Sequence, residues 1–229
     1  MKKILIIGPI LPQWSDIDCF SKNLSFLKKD YNLSFFDPFK FFDKKITLKF
    51  FYQKWRNFLK KQEDSYDVFM GFSFGGVILQ QCFSFFEISG KPIVLFSTPS
   101  FSDDLIHKKL SKVVFLAGKG LVKEAILCLN KHVYYPNMKI DNFVITELEQ
   151  AANRLSFGLK SILTTDSRKI LQSTHVNYLN LIGEHSDLVN YRNVIEVKSG
   201  KVVQVPNSGM RVLECNQDYC INSIKELLA

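Results

Sequence analysis

Six short apolar runs, separated by amphipathic segments, constrain this 229-residue chain more than any other feature. They are Lys2–Gly8, Leu33–Phe36, Asp67–Phe72, Pro92–Phe96, Tyr178–Ile182 and Val202–Val205. Runs this short and apolar suit strands buried in a parallel sheet, whose crossovers are helices. The segments between them carry helical spacing. Leu48–Gln62 has Leu48, Phe51, Tyr52, Trp55, Phe58 and Leu59 on one stripe, and Gly75–Phe86 and Asn216–Leu228 read as further helices. The pattern predicts an α/β fold with a mostly parallel sheet and helices on both faces. At this length one domain over residues 1–229 is expected, since two large cores do not fit.

The alternation lapses between Thr98 and Arg168. That stretch holds helical patterns at Lys109–Leu116, Leu121–Leu129 and Ile145–Leu159, with a Tyr-Tyr-Pro break at Tyr134–Pro136. About 70 residues of this kind between strands four and five read as an inserted helical cap over residues 99–170. Insertions of this sort commonly cover a ligand pocket.

Composition narrows the function classes. No apolar run approaches the length of a membrane span, and the Met1-Lys2-Lys3 start leads into a strand rather than to a small-residue cleavage site. A cytoplasmic location is the default expectation. Five scattered cysteines without CxxC spacing and four separated histidines support neither a disulfide framework nor a metal site. The net charge of +8 arises in residues 1–61, where 13 Lys/Arg face five Asp. Only five of the 30 cations are arginine, which counts against base-reading or bidentate phosphate recognition and hence against nucleic acid.

The chemistry concentrates in Gly71-Phe72-Ser73-Phe74-Gly75-Gly76. An apolar strand runs into Ser73 and a helix starts directly after it. The GxSxG glycines, Gly71 and Gly75, let the chain turn sharply without a Cβ clash and hold the serine oxygen above the sheet edge. The helix start beneath supplies unpaired N–H groups and a positive dipole end to an oxyanion.

On these residues the chain resembles the α/β-hydrolase family over nearly its whole length. The order is strand, elbow at Ser73, helical cap, then Gly183-Glu184-His185-Ser186-Asp187-Leu188, which is similar to the strand-end loop carrying the family's acid. The compact cap and Asp166-Ser167-Arg168 look like the small esterases and thioesterases of vitamin (biotin) biosynthesis, among them the pimeloyl carrier-protein methyl ester esterases. The resemblance implies hydrolysis of an acyl ester or thioester through an acyl-enzyme on Ser73, with Asp187 as the acid and no cofactor. Oxyanion donors would be the Phe74 N–H and, because Pro9 has none, the Ile10 N–H.

One position departs from the family pattern. A Gly-His pair is expected after the last strand, where the chain has Ser208-Gly209-Met210-Arg211. A thioether does no general base work, so Met210 leaves the base position vacant. Three readings follow. His185, two residues from Asp187, substitutes; a cap histidine, His107 or His132, reaches in; or the protein performs no triad chemistry and keeps a binding role. His175, at the far end of its strand, reads as structural. The basic residues Lys49, Lys54, Arg56, Lys60 and Lys61 flank the aromatic stripe of Phe50, Phe51, Tyr52 and Trp55. They form a solvated helix face, a docking patch for an acidic acyl-carrier protein, or a contact to anionic membrane.

Overall fold

The computed structural model describes residues 1–137 and 144–228. Its centre is a six-stranded sheet in the order β2-β1-β3-β4-β5-β6, every neighbouring pair parallel. The strands are β1 (Lys2–Ile7), β2 (Tyr31–Phe36), β3 (Val68–Phe72), β4 (Ile93–Phe96), β5 (Tyr178–Gly183) and β6 (Gly200–Val205). β3, β4 and β5 are buried along their whole length, as strands covered on both faces must be.

The helices are α1 (Asp18–Asn23), α2 (Leu48–Lys61), α3 (Phe74–Gln80), α4 (Phe83–Ser89), α5 (Asp104–Gly118), α6 (Val122–Val133), α7 (Leu148–Thr164), α8 (Arg168–Ser173), α9 (Val212–Cys215) and α10 (Gln217–Leu228). One face of the sheet packs on α2, α3 and α4 and on the β4–β5 excursion, through Leu5, Phe69, Phe74, Trp55, Leu110 and Leu155. The other face, with Ile4, Ile6, Met70 and Leu181, packs against Cys220 and Ile224 of α10 and the residues around Leu24. Among the described residues between β4 and β5 the chain makes four helices, α5 to α8, in which α5 packs on both α6 and α7. Of the 99–170 stretch, residues 138–143 lie outside the described residues. No helix among the described residues is long and apolar enough to cross a membrane.

Two sequence expectations need correction. The single helix expected over Gly75–Phe86 is two, α3 and α4. The Gln81 carbonyl accepts from the Arg56 guanidinium at 3.0 Å, while the Phe85 N–H turns to the Cys82 carbonyl at 2.9 Å, so the helical ladder breaks there. Phe50 is not part of the core stripe. It is 60% exposed, whereas Phe51, Tyr52, Trp55 and Leu59 fill the buried face of α2. The other side of that helix leaves Lys49, Lys54, Arg56, Lys60 and Lys61 exposed.

The start of α3 sits directly on the end of β1. A Cβ at Gly75 would collide with the Ile7 carbonyl oxygen, which is backbone and has nowhere to go. Gly75→Ala should therefore cost about 2 kcal/mol or more of unfolding free energy, read from urea denaturation, with overpacking as the cause.

Candidate functional site

Ser73 occupies the sharp link between β3 and α3, with φ 48° and ψ −109°, a backbone conformation unfavourable for a residue bearing a Cβ. Its N–H is tied to the Phe96 carbonyl of β4 at 2.8 Å, and its own carbonyl accepts from the Val77 N–H at 3.1 Å. Gly71 makes room from below, since a Cβ there would lie 2.6 Å from the Gly76 Cα. The side chain opens into a cavity of about 450 Å³. Aliphatic groups dominate its walls, among them Ile106, Leu110, Ile126, Leu129, Leu159 and Ile162 from the β4–β5 excursion. Leu188, Val189 and Met210 line it from the sheet side. Its polar edge carries Asp16, Cys19, Asn23, Arg211 and Glu214, in which Glu214 accepts from both Asn23 and Arg211.

Phe74 is the first residue of α3, where backbone N–H groups have no partner within the helix. Ile10 lines the same cavity from the loop after β1. That loop is held by a residue the sequence reading passed over, Arg154 on α7. Its Nε donates to the Leu11 carbonyl at 2.7 Å, and its two terminal nitrogens clasp the Asp37 carboxylate at 2.7 and 2.9 Å. The guanidinium also lies 4.3 Å over the Phe39 ring, and the residue is only 5% exposed. A signal existed: Ala151, Arg154, Leu155, Gly158, Leu159 and Ile162 share the buried stripe of α7, so an arginine in that register needed a buried partner. Ser97, equally unforeseen, ends β4 with φ 45° and donates its hydroxyl to the Met210 carbonyl at 2.6 Å. This bond fixes the loop on which the family's base would stand.

Asp187 is gripped by the β4–β5 excursion. Lys109 of α5 donates to its Oδ1 at 2.5 Å and to its backbone carbonyl at 2.7 Å. His132 of α6 lies with Nδ1 2.5 Å from Oδ2. Burial pushes the Asp187 pKa up, but the hydrogen bonds from Lys109 and His132 outweigh it and hold the carboxyl below its ordinary range. The group is an anion at neutral pH, and its contribution to stability fades only as the pH falls through that lowered value.

The other histidines lie elsewhere. His185 is exposed, with Nε2 3.7 Å from Glu184, and is absent from the cavity wall. The imidazole contact to Asp187 sought from His185 is thus made by His132, because the tight loop after β5 carries His185 toward its neighbour Glu184 instead. His107 is exposed and meets Ser111 on its own helix, and His175 is exposed before β5. No side chain among the described residues hydrogen-bonds the Ser73 hydroxyl. No group of three or more His, Cys, Asp or Glu among the described residues is arranged to hold a metal.

Solved structures with the same path of the chain decide the fold. An α/β-hydrolase enzyme, MGS-M2, from a Medee basin deep-sea metagenome library superposes with a TM-score of 0.77 at 15% identity, over 99% of this chain and 89% of that one. MenH from S. aureus gives 0.69 at 14% identity, over 99% and 93%. A bromoperoxidase from Bacillus anthracis gives 0.68 at 14% identity, over 100% and 92%. The chain has the α/β-hydrolase fold. No protein-family model matches it, and no curated protein sequence does. At such identities the likeness concerns the path of the chain. What this α/β-hydrolase fold does with Ser73 has to be argued from its own residues.

Breaking the clasp at Arg154 should be costly, because the Asp37 carboxyl would lose both of its guanidinium hydrogen bonds. Arg154→Met is expected to lower unfolding stability by about 3 kcal/mol, measured by chemical denaturation.

Proposed function

We propose that this protein is a serine hydrolase that cleaves an acyl ester or thioester through an acyl-enzyme on Ser73. The observation that carries this reading is the strained Ser73 backbone in the wall of the apolar cavity. A strained backbone persists only where its surroundings impose it, and such strain collects at reactive sites. The mostly aliphatic walls suit an acyl chain. The N–H groups of Phe74 and Ile10 stabilise the oxyanion, and Asp187 serves as the acid. The helices of residues 99–170 act as the cap over the bound chain. A carrier-borne substrate agrees with the exposed cations Lys49, Lys54, Arg56, Lys60 and Lys61, which would face an acidic carrier protein. Two neighbours described as hydrolases, MGS-M2 and a protein from Oleispira antarctica, share the fold.

A second reading has its own support. Both carboxylate oxygens of Asp187 are occupied, no described side chain hydrogen-bonds the Ser73 hydroxyl, and position 210 is methionine. On that reading the fold has given up hydrolysis, the aspartate only fastens helices, and the cavity binds an acyl ligand. A fluorophosphonate probe separates the two. The hydrolase reading predicts labelling of the wild type at one serine, abolished in Ser73→Ala, with ester hydrolysis falling about 10³-fold or more. A correctly folded wild type that resists the probe across the pH range decides for the binding reading.

A further inference from the structure

We infer that His132 of α6 is the general base for Ser73, replacing from a different part of the chain the histidine missing at position 210. This rests on the serine-hydrolase reading above. Among the described residues His132 is the imidazole that meets Asp187, with Nδ1 2.5 Å from Oδ2. An acid of this kind must be ionised to fix an imidazole and to stabilise its protonated form, and Asp187 is held ionised by its hydrogen bonds. With Nδ1–H given to the carboxylate, Nε2 becomes the proton acceptor, and no described residue occupies it. The charged groups facing His132 are Asp187 from the loop after β5 and, across that carboxylate, Lys109 from α5.

The pair stands directly behind one wall of the cavity. Neither His132 nor Asp187 lines it, but Leu129 and Val133, which flank His132 on α6, and Leu188 and Val189, which follow Asp187, all do. On this inference one water carries the proton between Ser73 Oγ and His132 Nε2, as general bases commonly allow. As Oγ bonds to the substrate carbonyl carbon, its proton passes to that water and one from the water to Nε2. Collapse of the tetrahedral intermediate breaks the C–O or C–S bond to the leaving group, which receives the proton back from Nε2. A second water then adds to the acyl carbon with the same proton transfers, releasing the acid and restoring the Ser73 hydroxyl. No oxidant, metal or further reactant enters.

The test is the rate of fluorophosphonate labelling as a function of pH, in the intact protein. His132→Asn keeps an N–H where Nδ1 stands, so the tie to Asp187 is retained while the acceptor is removed. The inference predicts labelling slowed about 10²- to 10⁴-fold, with the loss of rate on the acid side absent from the variant. Labelling of His132→Asn at the wild-type rate and with the wild-type pH profile overturns the inference, and the serine-hydrolase reading survives if Ser73→Ala still abolishes labelling. Wild type that never labels overturns both. Should His132→Asn not fold, His132→Ala supplies the answer: labelling that rises with added imidazole supports the role, and indifference to imidazole rejects it.

Discussion

The conformation of one residue, Ser73 with φ 48°, organises the rest of the molecule. Holding a residue with a side chain there costs on the order of 1–3 kcal/mol, and the surroundings have to supply it. They do so through backbone. The Ser73 N–H is fastened to β4, its carbonyl starts the α3 ladder, and glycines at 71, 75 and 76 let strand, helix and β1 approach without side chains between them. The neighbouring strand ends the same way, at Ser97 with φ 45°. Two adjacent parallel strands thus finish in strained serines on one edge of the sheet. One opens into the cavity, and the other anchors the loop that carries Met210.

The helical excursion between β4 and β5 is attached to this edge by polar contacts on opposite sides of the cavity. On one side Arg154 binds the loop after β1 and the Asp37 carboxylate, and Gln13 of that loop reaches the Val144 carbonyl at 2.9 Å. On the other side Lys109 and His132 hold Asp187. Between these attachments the contacts are aliphatic and adaptable in shape. Specific polar ties at the rims with apolar walls between them make a cavity that keeps its position while accepting a chain of flexible outline.

Much of this was legible before any coordinates. The six apolar runs became six strands, with ends shifted by two residues or fewer; for the central β3, β4 and β5 the reason is that a strand buried on both faces leaves an unbroken apolar signature. The elbow was legible for the same reason: small residues were required at fixed offsets from Ser73. Illegible features depended on where distant segments meet. The break between α3 and α4 follows from Arg56 reaching the Gln81 carbonyl, a contact between residues 25 apart. Adjacency in sequence suggested His185 as the partner of Asp187, yet the tight loop after β5 sends it to Glu184. His132, 55 residues away, arrives by the fold of α5 and α6. Arg154 lay between these extremes, since its helical register marked it as buried and only its partners were hidden.

The central claim is that the hydroxyl presented by this strained turn is chemically used. Mass spectrometry of the protein quenched in acid after brief exposure to a p-nitrophenyl acyl ester examines that directly. The account predicts the added mass of one acyl group on the peptide containing Ser73 and on no other. An unmodified Ser73 peptide, or acylation confined to another nucleophile such as Cys19, would contradict it.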